Sequence, residues 1–151
     1  MKIHEYPLEL VNPRLLWRGK TNMEHRWINR YGTHKIKQGK WVYGSYFVDA
    51  NEDHCIKQPC LDTGKTMTYE VDYSTLGQCT GLSDKRGNLI FEGDKLLCAY
   101  LHKPIVVWDK VLAAFVVSET SGRSMLLSRV ANPDAEIIGN IYDKEKNNGN
   151  V

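Results

Sequence analysis

Met67, Tyr69 and Val71 alternate with Thr66, Thr68 and Glu70, so this stretch has one apolar side and one polar side. A period of two is the pattern of a half-buried β-strand, and it predicts a strand over 65–72. The run 40–48 (KWVYGSYFV) is rich in aromatic and β-branched residues and reads as a second strand, with Gly44 marking a bulge inside it. Shorter apolar runs predict strands at 15–20, 54–58, 89–91, 95–101, 105–109, 113–118 and 135–142. Residues 123–131 suit either a helical turn or a strand. Between 23 and 31 the spacing changes: Met23, Trp27 and Tyr31 recur every four residues, which predicts a helix ended by Gly32.

The segment 77–96 (GQCTGLSDKRGNLIFEGDKL) carries four glycines and two aspartates. Asp84-Lys85-Arg86-Gly87-Asn88 and Glu92-Gly93-Asp94 have the residue types of tight turns. Asp bonds its own backbone two residues on, and Gly accepts positive φ. The short strand 89–91 lies between the two turns. From there to residue 142 short strands follow one another closely, which points to a small barrel of about five strands, SH3-like in kind. The expected fold class is mainly β, with a β-rich α+β arrangement as the other option. The expected layout is a single domain over 1–142, made of an N-terminal β part (15–76) packed on an SH3-like part (77–142). The polar run 143–151 reads as a disordered tail.

Charge changes this picture in one place. The net charge is +2, yet residues 14–40 hold eight Lys or Arg and one acid, Glu24, so that segment is +7 and the rest is −5. Arg18, Lys20, Arg26, Arg30, Lys35, Lys37 and Lys40 are interleaved with Trp17, Trp27, Tyr31 and Trp41. Cations neutralise phosphates and aromatic faces stack on bases. Arg18, Lys20, Arg26, Trp27, Arg30, Tyr31, Lys35, Lys37 and Lys40 are therefore the candidate single-stranded nucleic-acid contacts. The competing reading places the aromatics in the core and the cations in solvent.

Other candidate chemistry is weaker. Gly64-Lys65-Thr66 ends like a phosphate-binding loop, but the second glycine such a loop needs is Pro59, which has no N–H to offer. His54, Cys55 and Cys60 lie close together, without the paired spacing of a zinc site. The expectation is no metal and no cofactor. Nothing in the sequence brings a base to Cys55 or Cys79, and Asp84, Glu92 and Asp94 each have a turn to explain them, so no catalytic residue is assigned. No stretch approaches the roughly 20 apolar residues of a membrane span, and the N-terminus lacks the apolar core of a signal peptide. A cytosolic location with four reduced cysteines, Cys55, Cys60, Cys79 and Cys98, is expected.

The stretch from Gly77-Gln78-Cys79-Thr80-Gly81-Leu82 through Asp84-Lys85-Arg86-Gly87 to Ile90-Phe91-Glu92-Gly93-Asp94 resembles the signature of the YopX family of phage and prophage proteins. Val106-Val107-Trp108 with Phe115, Ile138-Gly139-Asn140-Ile141-Tyr142, and upstream Trp17-Arg18-Gly19-Lys20 and Trp41-Val42-Tyr43-Gly44 are similar to other elements of that family. Two departures stand out: Cys79 replaces an aromatic, and 21–38 looks like an insertion that carries much of the basic patch. The resemblance implies a phage or prophage origin and the cytoplasm of a bacterial host. It implies no catalytic residue, because the shared positions are glycines, turn aspartates and strand apolars. The expected role is non-catalytic accessory binding to a host or phage protein, with nucleic-acid binding through 14–46 as the alternative.

Overall fold

Alternating apolar and β-branched residues form strands throughout the computed structural model, which describes residues 13–29, 32–59, 65–131 and 134–144. The chain divides into two compact units, 1–79 and 80–151. The mainly β class expected from the sequence is observed, and all named pairings are antiparallel.

In the first unit a short 3-10 turn, Pro13–Leu15, leads into β1 (Trp17–Lys20). Then come β2 (His25–Asn29), β3 (Gly32–Ile36), β4 (Trp41–Val48), β5 (His54–Pro59) and β6 (Thr66–Glu70), and the unit closes with the start of β7 (Gly77–Ser83). The sheet runs β6-β5-β4-β1-β7, and β2 and β3 form a separate two-stranded ribbon. Val42, Ile56, Tyr69 and Val71 make the core, with Trp17, Ile36, Met67 and Leu76 against it. Each fully buried aliphatic side chain there contributes about 1.5–3 kcal/mol.

The helix expected over 23–31 is absent. His25–Asn29 is a strand, paired in register with Gly32–Ile36 from His25↔Ile36 to Asn29↔Gly32. Arg30 and Tyr31 lie outside the described residues, as do 60–64, with Cys60 and Gly64. Gly44 serves a different purpose from the expected bulge. Pairing is regular on both sides of it, and a Cβ there would sit 2.1 Å from the Lys57 carbonyl oxygen. Glycine is needed so that two backbones can approach.

In the second unit the end of β7 is followed by β8 (Leu89–Phe91), β9 (Asp94–Leu97), β10 (Ile105–Asp109), β11 (Ala114–Ser118) and β12 (Ser124–Leu126). The last elements are a single helical turn, α1 (Leu127–Val130), and β13 (Glu136–Asn140). The region 123–131 is thus both a strand and a helical turn. The five-stranded sheet has the order β12-β11-β10-β9-β13. Its hydrogen bonding leaves β12 and β13 as free ends, so the expected barrel is not closed. The strand expected over 95–101 stops at Leu97, because the chain bends to bring Leu101 into a core of Ile90, Leu96, Val106, Val117, Leu127 and Val130.

The glycine-aspartate segment consists of turns between these strands. Asp84, 1% exposed, accepts hydrogen bonds from Arg86 N and Asn88 N on Oδ1 (2.9 Å each) and from Ile137 N on Oδ2 (3.1 Å). Asp94, equally buried, accepts from Phe91 N at 2.8 Å across the second turn. Gly93 adopts φ +89°, and a Cβ there would strike the Tyr142 ring at 2.7 Å. Asp143, expected in the tail, is bonded back to Asn140 at 2.8 Å through its backbone N–H; residues 145–151 lie outside the described residues.

Two predictions follow from these constraints. Gly44→Ala should lower unfolding free energy by about 1–3 kcal/mol, the range for an overpacked interior, with the urea midpoint as the readout. Burial alone would push the Asp84 carboxyl up, but the N–H groups of Ile137, Asn88 and Arg86 outweigh it and hold it below the usual carboxylate range. A carboxyl lowered in the folded state stabilises above its unfolded value of about 3.9, and that contribution is lost as pH falls through the folded value. Asp84→Asn should cost about 1–3 kcal/mol at neutral pH and flatten the acid limb of the stability curve.

Candidate functional site

Alternation along β2 and β3 sorts the residues of the basic segment by face. His25 and Trp27 lie opposite Ile36 and His34, whereas Arg26 and Ile28 lie opposite Lys35 and Thr33. The first face is half-buried: Trp27 stacks on His34 (centroids 5.6 Å apart) and His25 meets Tyr69 edge-on at 5.2 Å. The second face is open. Arg26 is 70% exposed along its side chain, and Ile28 is 81% exposed. The indole N–H of Trp27 and Nε2 of His25 are buried without a hydrogen-bond partner among the described residues. Their rings are turned inward, so Trp27 does not stand beside Arg26 and Lys35 as a stacking platform would require.

The other predicted residues fall on the main sheet. Arg18 pairs with Tyr43 and Lys20 with Trp41 across β1 and β4. The Arg18 guanidinium lies 4.7 Å from the Trp41 ring centroid and the Lys20 ammonium 5.2 Å from it, one indole between two cations. Arg18 is buried, whereas Lys35, Lys37 and Lys40 are exposed. The single predicted patch is therefore two separate groups in the first unit: Arg18, Lys20 and Trp41 on the sheet, and Arg26, Lys35 and Lys37 on the ribbon.

Thr21 fastens the ribbon to the sheet. It is 1% exposed; its N–H donates to Lys40 O (2.9 Å), its O accepts from Gly39 N (2.7 Å), and its hydroxyl donates to Lys37 O (2.7 Å). Asn22 adds a side-chain bond to Glu70. The chain leaves the sheet after Lys20 and rejoins it at Trp41, its direct partner, so the excursion nearly coincides with the apparent insertion at 21–38.

Three further surfaces were not singled out from the sequence. Trp17, Tyr46, His54 and Tyr73 form a run of rings with successive centroids 5.1, 5.9 and 4.3 Å apart. The Tyr46 hydroxyl is hydrogen-bonded to His54 Nδ1 at 2.7 Å, and burial, helped by nearby Tyr73, raises its pKa. In the second unit, the turn between β10 and β11 holds Val111 (93% exposed) and Leu112 (59% exposed) in solvent beside Trp108, which packs edge-on against Phe115 at 5.0 Å. Asp109 Oδ1 accepts from both Val111 N (2.8 Å) and Leu112 N (2.9 Å), so that turn is held in shape. A cleft of about 660 Å³ is bordered by Lys95, Lys103, Asn140 and Lys144, with Lys103 at φ +41°.

Among the described residues the cysteines show no reactive arrangement. Cys55, Cys79 and Cys98 form no disulfide among the described residues, and burial, reinforced by Asp49, Glu70 and Asp53, pushes the Cys55 thiol up, away from the nucleophilic thiolate. His54 and Cys55 are neighbours in a strand, so their side chains leave on opposite faces. Among the described residues no group of three His, Cys, Asp or Glu is placed to hold a metal, and no helix is long and apolar enough to cross a membrane.

With the turn aspartates and the strand order in place, comparison with known families is decisive. A family model described as YopX protein matches residues 30–146. The chain belongs to the YopX family. The match covers β3 onward and takes in the whole glycine-aspartate segment, while Trp17–Lys20 precedes it. No curated protein matches the chain. In this YopX protein, β2 and the cations Arg18, Lys20 and Arg26 stand ahead of the matched residues.

The attachment at Thr21 makes the ribbon separable. Joining Thr21 to Gly39 through an Asn-Gly turn in place of 22–38 should leave the sheet folded, because directly paired strands accept two-residue turns. Loss of the Ile36 side chain from the core and of the His25 contact with Tyr69 should cost about 2–4 kcal/mol. Circular dichroism should retain its β signature, and the urea midpoint should fall.

Proposed function

We propose that this protein is a non-catalytic accessory protein of phage or prophage origin, acting in the host cytoplasm by binding another protein through the β10–β11 turn. The observation that carries the reading is the pair Val111 and Leu112, held out by the Asp109 carboxylate next to the Trp108–Phe115 pair. A convex apolar turn with fixed backbone loses little entropy on docking, and its chemistry suits an apolar pocket on a host or phage protein. The strand order, with β13 returning beside β9 after a short helical turn, supports reading the second unit as an SH3-like module whose sheet stays open.

A photo-crosslinking amino acid at position 111, expressed in the host, should capture one heterologous protein. With that protein purified, Val111→Asp and Leu112→Asp should each weaken binding at least about tenfold, as central interface contacts do, with melting temperature unchanged. Unaltered affinity in both variants, or crosslinks to a second copy alone, would overturn the assignment.

Nucleic-acid binding is the second reading. It is supported by the ribbon's exposed cations, and not by the single-strand stacking mode, for which Trp27 faces the wrong way.

A further inference from the structure

The outer face of the β2–β3 ribbon has a feature that folding does not need. Arg26 and Lys35 stand directly opposite each other, and like charges in that position destabilise a strand pair. Lys37 follows two residues after Lys35 and is also exposed. Glu24 is the acid bonded there, through Arg26 Nε at 2.5 Å, and the Arg26 side chain remains 70% exposed. Toward the other end of the ribbon, Ile28 is 81% exposed opposite the exposed Thr33. An anionic partner would remove the repulsion, and one that also offers small apolar groups would cover Ile28.

We propose that this face enters the major groove of duplex DNA. A two-stranded β-ribbon is one of the two protein elements the groove, about 12 Å wide, admits. Five residue pairs extend roughly 17 Å, about half a helical turn. Lys37 stands just past the end of β3, two residues after Lys35, a step of roughly 7 Å in extended chain and close to two base-pair steps, so the two reach phosphates in succession. Arg26 faces base edges or phosphate with its outer guanidinium nitrogens while Glu24 holds Nε. Ile28 and the Thr33 methyl meet thymine methyl groups. The aromatic rings stay on the inner face, which the sheet covers, so neither stacking nor a single strand is required. The proposal is independent of the β10–β11 turn, and the Val111 and Leu112 variants should bind DNA like the parent protein.

The test is fluorescence anisotropy with a labelled DNA duplex, the RNA duplex of the same sequence and either single strand, over a salt series. The DNA duplex should bind, with log affinity falling against log salt at a slope of about −2 to −3 for three neutralised phosphates. RNA should bind more weakly, because its major groove is too deep and narrow for the ribbon. The double variant Arg26→Gln, Lys35→Gln should lose at least about tenfold in affinity at low salt and lower the slope by about 1 per cation removed. Its melting temperature should hold, since loss of the exposed Arg26–Glu24 ion pair is offset by removal of the Arg26–Lys35 repulsion, which separates lost contacts from lost folding. Equal affinity for the DNA duplex and the single strands, undiminished binding by the double variant, or no DNA binding at low salt would each overturn the proposal. So would binding of polyglutamate without binding of DNA, which would make the ribbon a contact for acidic proteins.

Discussion

The Asp84 carboxylate, sealed from water and bonded to three backbone N–H groups, fixes where the second unit begins and ends. Two of those donors close the β7–β8 turn and the third belongs to Ile137 in β13, more than fifty residues later. β13 in turn pairs with β9, and β9 with β10. A single ionised side chain thus ties a local turn to the strand that completes the sheet. Thr21 does comparable work in the first unit with a hydroxyl and two backbone groups. Both residues owe their burial to the backbone groups they satisfy, since an unpaired polar atom at either place would be costly.

This division of labour accounts for how chemistry-bearing residues are distributed. Asp84, Gly87, Gly93 and Asp94 of the 77–96 segment are consumed in turn geometry, and the described thiols are buried or backbone-bonded. What remains accessible is contact surface: a cationic ribbon face in one unit and an apolar turn in the other. Each is presented by a short antiparallel pair whose backbone is already paired, so the side chains are fixed in direction before any partner arrives. Preorganisation of that kind lowers the ordering cost of any contact these surfaces make.

Strand positions were largely legible because alternation and β-branched runs report burial directly. The 23–31 stretch misled for a simple numerical reason. Four is twice two, so Met23, Trp27 and Tyr31 share a face under either period, and His25, which fills the intermediate strand position, is polar enough to mask the shorter one. Once the strand is recognised, separation of Arg26 from Trp27 follows at once, and with it the loss of a mixed stacking patch. Arg18 was legible as a cation but not as a buried one, because its placement over Trp41 depends on pairing between segments more than twenty residues apart. Val111 and Leu112 fall between the strands expected over 105–109 and 113–118, a position that does not by itself announce their exposure. Only the Asp109 bonds reveal that the turn holds them outward.

The way the ribbon is rooted has an evolutionary consequence. Because Lys20 and Trp41 are already partners, the segment between them can be lengthened, shortened or replaced without moving any strand of the parent sheet. A lineage under pressure to meet new partners could exchange surface elements at this junction as one exchanges bits in a drill, while selection on the supporting framework stays constant.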